Sequence, residues 1–531
     1  MNAITDFYNM IFNNAPALIL AVPPICAFLT PLVSRISDKG RNVFVSCAIL
    51  VSLALAVLLA QDVYANGARI YVFGAASAGL TLPSGMYLPV RIIYEVDGMS
   101  IFMVFITLIV ALGASIYSWS ATEKYTGKDR YYTLLLLMVV GMLGMELTGD
   151  IFNMFVFFEI LSIASAALTA YYLDGDSAEG GFKYLVLSAI GGLFVLLAIA
   201  ILYGQYNVLN MAALAKSITF SKLDILALGI LFTGFAMKAG AVPLHMMTPD
   251  AYTVAPASIT AMLVAASQAS LYALFRVCFS LFGKSLIESM TYGTVGIIVI
   301  VLGVLSMFVG VTMAIPQHDV KRLMAYHAVS QTGYMLLGVG VGLATLGNPD
   351  ALNAYGRTAM EGGIFHIINH AMYKGLLFLT AGAMFYVTGT RDLNKMGGLG
   401  HKMPFTAAAF IIGALAIAGV PPMNGFASKL LIYESVYQFS PLLSIIAMVV
   451  SILTLASFVK VFHSAFMGPQ LSGYKNVREV PKSMIAGMCV LAAVIIVFSL
   501  FPDWAVKTIV DPAVNALLDH AGYVSKVMGG A

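Results

Sequence analysis

Long apolar runs separated by short polar connections repeat along almost the whole chain. About fourteen of these runs approach or exceed the ~20 residues that a helix needs to cross a bilayer. The pattern predicts an all-α polytopic membrane protein with about fourteen transmembrane helices. The predicted spans lie near residues 15–35, 42–62, 96–119, 131–148, 151–172, 184–204, 223–247, 255–282, 294–315, 323–344, 361–388, 404–436, 442–467 and 484–502.

The composition agrees with lipid as the surroundings of this chain. Of its 531 residues, 60% are hydrophobic and 10% are charged, and the mean hydropathy is +0.91. A soluble core does not bury that much apolar surface. The net charge of +3 argues against nucleic acid as a partner. The four cysteines lie far apart without a C-x-x-C pair, so no disulfide framework, iron–sulfur cluster, other cofactor or metal site is predicted.

Four of the charged residues inside the predicted spans stand in long apolar stretches. Glu159 lies in IFNMFVFFE, and Lys238, Lys374 and Lys429 each lie within a long apolar stretch. An ionised side chain in hydrocarbon costs roughly 2.5 kcal/mol or more, so such residues usually face the bundle interior or water and mark an ion path. One acid and three bases in one membrane chain therefore predict a route for protons or another cation.

Two of the predicted spans are interrupted by glycine and proline. The seventh passes Lys238 into Gly240 and Pro243, and the twelfth contains GVPPMNGFASK at 419–429. Because proline removes helical hydrogen bonds, broken helices at corresponding places in two halves indicate inverted repeats with a transport site between them. Spans four to eight and nine to thirteen then form two five-helix repeats. The predicted division is 1–130 (spans one to three), 131–282 (first repeat), 294–467 (second repeat) and 484–531 (last span and tail).

The basic residues predict how the chain is oriented. One set of alternate loops carries 15 Lys and Arg residues and the other carries 8, with the remaining five of the 28 inside spans. Cytoplasmic loops carry the excess of basic residues. The bias predicts a multi-pass protein of the cell (inner) membrane with both termini outside. The longest connection, residues 63–95, would also lie outside.

Six motifs in one order resemble those of a known family. They are GDIFNMFVFFE around Glu159, K-A-G-x-x-P-L-H at 238–245, PDAYTVAPASITAML at 249–263, DVKRLMAYHAVSQTGY at 319–334, FHIINHAMYKGLLFLTAG at 365–382 and PPMNGFASK at 421–429. Over roughly residues 95–470, the chain resembles the antiporter-like subunits shared by Mrp-type cation/proton antiporters, respiratory complex I and membrane-bound hydrogenases. The first motif looks most like the D subunit of Mrp antiporters and its counterparts in hydrogenases.

The resemblance implies a proton-translocating or Na⁺/H⁺-antiporting subunit without a catalytic centre of its own. Its partners would be other membrane subunits of an Mrp-type antiporter, a hydrogenase or other oxidoreductase, or a complex I-like assembly. Glu159 and Lys238 would form a pair near mid-membrane, with Lys238 taking up a proton from the cytoplasmic side. The remaining path residues implied by the resemblance are His366, His370 and Lys374 on span eleven and Lys429 on span twelve. The first three, at i, i+4 and i+8, lie on one helical face over about 12 Å.

One position departs from the family pattern. Members similar to the D subunit usually carry a lysine on span eight, four residues before a tyrosine, where this chain has Gln268. Because glutamine does not titrate, the link between Lys238 and Lys374 would rely on water together with Gln268, Ser267 and Ser270.

Simpler interpretations stay open for the path residues. Glu159 and Lys238 could tie two helices together as a static ion pair. The two histidines could hydrogen-bond between helices as neutral imidazoles, and Lys429 could extend to the membrane interface. Glu434 would then be the next candidate for the outer site.

Other polar residues near span ends are expected to have interfacial roles. His245 and His327 lie close to cytoplasmic span ends, and Lys460 and Arg276 are long enough to extend to the membrane surface. Asp97, at the start of span three, is expected to cap that helix.

Two other function classes stay open. A stand-alone secondary transporter of an organic solute would need a polar mid-membrane pocket beside each broken helix. A structural or quinone-binding membrane subunit would need no titratable path. The ion-translocating subunit is favoured because the polar groups inside the spans are chiefly titratable.

Overall fold

The chain is nearly all helical in a computed structural model, which describes residues 9–73, 79–81, 87–89, 92–469, 471–474 and 477–528. The α-helices of six or more residues, in chain order, are α1 (Ala15–Ile36), α2 (Asp38–Asn66), α3 (Gly98–Ala121), α4 (Lys128–Leu147), α5 (Ile151–Thr169), α6 (Gly175–Tyr206), α7 (Met211–Ser217), α8 (Lys222–Ala239), α9 (Met247–Val254), α10 (Ala257–Phe275), α11 (Gly283–Glu288), α12 (Tyr292–Ala314), α13 (Val320–Thr345), α14 (Arg357–Thr388), α15 (Pro404–Ala418), α16 (Asn424–Phe439), α17 (Pro441–Phe462), α18 (Lys482–Leu500), α19 (Asp511–Leu518) and α20 (His520–Met528). Single π-helical turns extend α10 through Leu281 and α17 through Met467.

Within the described residues, eleven helices are long and apolar enough to cross a membrane. They are α1 to α6, α10, α12, α14, α17 and α18. The three other predicted spans coincide with two interrupted helices, α8–α9 and α15–α16, and with α13, which has 26 residues but a more polar sequence. A count of fourteen spans therefore stays a prediction.

The connection between α2 and α3 is partly extended, so the prediction of an entirely helical chain is too simple. The strands are β1 (Arg69–Val72), β2 (Gly79–Thr81), β3 (Tyr87–Pro89) and β4 (Ile93–Val96). β1 pairs with β4 and β2 pairs with β3, both antiparallel. The sequences RIYV and IYEV are rich in β-branched and aromatic residues, which favour strands.

The strands mark one face of the helix bundle. Gly149, between α4 and α5, donates its backbone N–H to the Ile93 carbonyl at 2.9 Å. Lys526 on α20 donates to the Ala68 carbonyl at 3.1 Å. We call this side the strand face, and the other side, where α13 begins, the opposite face.

Both predicted helix breaks are present, and glycine ends the first half of each helix. α8 ends before Gly240, which has φ +77°, and α15 ends before Gly419, which has φ +72°. This left-handed conformation costs glycine little because it lacks a Cβ atom. After each break the chain turns through proline, and the helix resumes as α9 or α16.

The centre of the bundle is occupied by α10 and α14. Every side chain of α10 is buried, and α14 packs against α3, α10, α13 and the second broken helix. The outer helices instead expose apolar side chains such as Leu193, Phe308 and Ile452, as lipid-facing helices do. The polar residues in the middle of α14, His366, Asn369, His370 and Lys374, are therefore enclosed by protein.

Candidate functional site

A buried line of polar side chains runs along α14. It consists of His366, His370 and Lys374, and we call it the central axis, or the axis. All three side chains are fully buried. Their placement on one helical face agrees with the spacing in the sequence, since residues four apart share a face. Neighbouring helices supply the groups that they contact.

His366 joins the line to the second broken helix. Its Nδ1 lies 2.9 Å from the Ser428 hydroxyl on α16. Its Nε2 lies 3.0 Å from the Tyr373 hydroxyl and 3.2 Å from Oε1 of Gln331 on α13. A neutral imidazole has one donor and one acceptor nitrogen, so His366 can receive a proton at one nitrogen and release one from the other.

His370 contacts the residue that departs from the family pattern. Its Nδ1 lies 2.5 Å from Nε2 of Gln268 on α10. Nε2 of His370 and Oε1 of Gln268 have no hydrogen-bond partner among the described residues. Ser267 and Ser270 donate instead to carbonyls of their own helix. Of the three side chains expected to provide the link, Gln268 alone bonds to the axis within the described part of the chain.

Lys374 is held in an aromatic and carbonyl environment. Its Nζ donates to the Met324 carbonyl on α13 at 2.5 Å. The same nitrogen lies 5.6 Å from the ring centre of Phe378 and 5.7 Å from that of Phe458. Aromatic faces stabilise a cation without fixing it as a carboxylate would.

Lys238 does not form the expected ion pair with Glu159. No nitrogen–oxygen distance between these two side chains is within 4.0 Å. Lys238 instead donates to the Phe158 carbonyl at 3.1 Å and to the Ser162 hydroxyl at 2.5 Å. The last turn of α8 presents unpaired carbonyls, whose partial negative charge favours a cation there. The ammonium is therefore satisfied without a carboxylate.

Glu159 approaches α6 at a glycine. A Cβ atom at Gly192 would collide with Oε1 of Glu159. The Glu159 side chain is half-buried, and it lies one helical turn from Ser162 on α5. The missing side chain at Gly192 therefore provides the space for the carboxylate.

Lys429 occupies the second helix break. It is 1% exposed, so it does not extend to the interface. Its Nζ donates to the Ile417 carbonyl at the end of α15, at 2.8 Å, and to the Ser451 hydroxyl at 2.9 Å. Ser451 in turn donates to the Ala418 carbonyl at 2.8 Å. Both Lys238 and Lys429 thus lie where a half-helix ends and leaves carbonyls free.

Two tyrosines complete the connection between the axis and Lys429. Tyr373 bridges the imidazoles, since its ring centre lies 5.7 Å from that of His370 and its hydroxyl contacts His366. The ring centre of Tyr334 lies 5.5 Å from that of His366 and 4.7 Å from Nζ of Lys429. Contacts therefore run without interruption from Gln268 through the two histidines to Lys429.

Lys238 stands apart from this series. Its two hydrogen bonds within the described residues go to α5, and neither reaches Gln268 or α14. The first half of the expected path is therefore not joined to the second by direct hydrogen bonds from Lys238.

The other candidate residues near span ends or the outer site differ in their surroundings. His327 is fully buried and neither ring nitrogen has a partner among the described residues, so the expectation of an interfacial role is wrong for it. His245 is half-buried beside the first helix break, and Glu434 is exposed on α16. Lys460 donates to the carbonyls of Ile315 and Gln317 just beyond α12, which agrees with an interfacial role.

Arg276 is the clearest correction to the sequence interpretation. It is 2% exposed and pairs with Asp97, instead of extending to the membrane surface. Its Nε donates to the Tyr272 hydroxyl at 3.0 Å. Because α10 is enclosed by other helices, its long side chains have no route to lipid. Asp97 caps α3 as expected, accepting from the backbone N–H groups of Met99 and Ser100.

Sequence reasoning missed the uncharged partners of the path residues. These partners are Ser162, Gln331, Tyr334, Tyr373, Ser428 and Ser451. Hydroxyl and amide groups are common in membrane helices and carry no signal of burial cost. The one signal that could have found them is that several lie inside the six motifs.

Comparison with known proteins supports the resemblance that the motifs indicate. Residues 148–454 match the family described as NADH:quinone oxidoreductase/Mrp antiporter, transmembrane. The chain belongs to this family. It is 30% identical to the D subunit of the Na⁺/H⁺ antiporter of Alkalihalophilus pseudofirmus, over 97% of this chain and 99% of that protein. It is 31% identical to the N subunit of the NADH-quinone oxidoreductase of Desulforudis audaxviator, over 94% of this chain and 98% of that protein.

Two solved structures share the fold of this chain. A chain of the Mrp complex from a Dietzia species superimposes with a TM-score of 0.85 at 24% identity, covering 98% of this chain and 100% of that chain. A chain of the membrane-bound sulfane sulfur reductase, an archaeal respiratory membrane complex, superimposes with a TM-score of 0.81 at 29% identity. The match covers 97% of this chain and 99% of that chain.

Proposed function

We propose that this chain is a proton-translocating membrane subunit of a multisubunit assembly. The observation that carries the proposal is the continuous series of contacts from Gln268 through His370 and His366 to Lys429. Family membership supports it, since relatives are named as subunits of Na⁺/H⁺ antiporters and NADH-quinone oxidoreductase and as a component of hydrogenase-4. Its partners would be the other membrane subunits of such an assembly, and the ion would be H⁺, with Na⁺ as a candidate for exchange.

In the first half of the path, Lys238 would alternate between two positions. In the position described above, Nζ bonds to Ser162 and the Phe158 carbonyl. Glu159 lies on the same helix three residues before Ser162, so the two Cβ atoms are about 5–6 Å apart. Moving Nζ toward Glu159 would stabilise its charge, since a pair at ~4 Å is worth about 4 kcal/mol at an effective dielectric near 20. Moving Nζ back toward Ser162 would remove that stabilisation and favour release of the proton from Lys238.

In the second half, protons would pass along α14 to Lys429. His366 and His370 relay through neutral imidazoles, and Lys374 holds the proton between steps. Lys429 then releases it toward the strand face, because α16 runs in that direction. The free carbonyls of Ile417 and Ala418 provide a polar environment at that step.

The architecture that we propose has fourteen spans in two inverted five-helix repeats, residues 131–282 and 294–467. Both interrupted helices contain Ala-Gly followed by proline and end their first half at a left-handed glycine, which supports the repeat. Residues 1–130 and 484–531 would flank the repeats. The loops with the excess of basic residues lie at the opposite face, which supports placing that face in the cytoplasm. Both termini would then lie on the outer side of the inner membrane.

Replacing either member of the first pair tests the function directly. Glu159→Gln and Lys238→Ala should each reduce translocation about tenfold or more, because each removes a titrating group. The tagged chain, purified with its copurifying subunits and placed in vesicles, would be assayed with a pH-sensitive dye under an imposed potential. Lys222→Ala, at the exposed start of the same helix as Lys238, is the control. Parent-like translocation in both variants would remove Glu159 and Lys238 from the path, and a parent that carries no more flux than empty vesicles would contradict the proposed function.

A glycine substitution tests the position of Glu159. Gly192→Ala should displace the carboxylate and lower translocation about tenfold to 100-fold, because small misplacements of reacting groups have effects of that size. Gly204→Ala on the same helix adds its methyl group to open space and should change nothing. Equal translocation by the two variants would show that the approach of Glu159 to α6 has no functional role. The same vesicle assay provides the measurement.

A further inference from the structure

A cavity of about 320 Å³ lies at the opposite face, outside the path described above. It is bounded by the end of α3, the turn between α5 and α6, the start of α10, the start of α13 and the end of α14. Its charged lining residues are Lys124, Asp174, Asp176, Lys321 and Arg391, and four tyrosines are among the other lining residues.

Lys321 is the buried charge in the wall of this cavity. It is 4% exposed, and its Nζ donates to the Ala255 carbonyl. No carboxylate oxygen of the described residues lies within 4.0 Å of that nitrogen. The nearest candidate along the chain, Asp319, pairs instead with Arg391 at 3.2 Å. A buried ammonium without a counter-charge is costly, so it is a functional candidate.

One face of α13 leads from Lys321 toward the central axis. Met324 follows three residues later, and its carbonyl accepts the hydrogen bond from Lys374. His327 follows three residues after that, and its ring lies 5.0 Å from the Phe458 ring that Lys374 also faces. Gln331 then contacts His366. These positions share a face and cover about 15 Å at 1.5 Å per residue.

We propose that Lys321 is a proton-uptake residue that loads Lys374 from the cavity, separately from Glu159 and Lys238. This inference rests on the proposed function. It offers the axis a second source of protons, which needs no hydrogen bond from Lys238. It also assigns a role to His327, whose unpartnered ring, among the residues that the structure describes, lies beside this route.

Three substitutions of Lys321 separate proton transfer from anchoring. Lys321→Met and Lys321→Arg should each lower potential-driven proton flux about tenfold or more, because neither residue releases a proton. Lys321→His, which titrates, should retain more flux than either. Arg322→Gln, next in sequence, half-exposed and facing Asp250, should match the parent. Parent-like flux in Lys321→Arg, or equal loss in Lys321→His and Lys321→Arg, would overturn the proposal.

Comparing Lys321→Met with Glu159→Gln distinguishes failure of the uptake role of Lys321 from failure of the proposed function. If Glu159→Gln loses flux while Lys321→Met matches the parent, the function stands and the uptake role of Lys321 is refuted. If both variants match an active parent, neither Glu159 nor Lys321 takes part in uptake. If the parent itself carries no more flux than empty vesicles, the proposed function is refuted.

A labelling experiment tests the cavity without relying on mutants of Lys321. Ala121→Cys would be introduced into the full chain after Cys26, Cys47, Cys278 and Cys489 are replaced by alanine. A membrane-impermeant thiol reagent applied at the opposite face should label Ala121→Cys and lower flux, and the same reagent at the strand face should not. Absence of labelling, or labelling that leaves flux unchanged, would overturn the uptake route.

Discussion

Replacing Lys429 with arginine should stop translocation and leave the protein assembled. Arginine keeps the positive charge and can donate to the same carbonyls, but it stays protonated in proteins. A residue that must release a proton therefore fails at this position, and flux should fall about 100-fold or more. Lys429→Ala should fail too, because the buried carbonyls of the α15 end lose their donor. Flux in reconstituted vesicles under an imposed potential provides the measurement.

Lys460→Arg is the matched control for this prediction. Lys460 also donates to two backbone carbonyls, but it is half-buried at the end of α17. Arginine should preserve its role. If Lys429→Arg translocates protons as the parent does, then Lys429 is a structural charge. The outer site would then have to be found elsewhere, with Glu434 exposed on the same helix as the next candidate.

Lys374→Met should reduce translocation about 100-fold, because it removes the titrating residue of the axis and fills a similar volume. His366→Ala should have a smaller effect. Tyr373, Gln331 and Ser428 surround the imidazole, and water between them can carry the same hydrogen bonds. Both variants would be compared in the vesicle assay after equal assembly is confirmed.

Gln268→Lys is the control for the axis, because it restores the residue that the family usually has there. It should retain translocation, since a lysine at this position also reaches His370. Unimpaired flux in Lys374→Met would show that protons do not pass along α14.

Several elements were predictable because membrane burial imposes strong local rules. The apolar runs predicted the eleven helices that are long enough to cross. Gly240 and Gly419 predicted the two breaks, since glycine and proline end helices whatever surrounds them. The burial of Lys374 and Lys429 could be anticipated from the apolar residues on both sides. Each of these inferences uses only neighbouring residues in the chain.

Pairing between helices was less predictable. The expected bond between Glu159 and Lys238 is absent because Ser162 and a carbonyl satisfy the ammonium. Arg276 was expected at the membrane surface, but it is buried against Asp97. A lysine or arginine side chain is long enough to choose among several partners, and that choice depends on how adjacent helices are rotated.

The sequence by itself therefore determined which segments are helical, where two of them break and which titratable residues lie among apolar ones. The tertiary structure decided which groups those residues contact. The physical reason is visible in α10, where every side chain is buried. A helix enclosed on all sides has no solvent-facing polar stripe, so its periodicity does not show that Gln268 faces His370 or that Arg276 faces Asp97. Only the packing of distant helices brings these groups together.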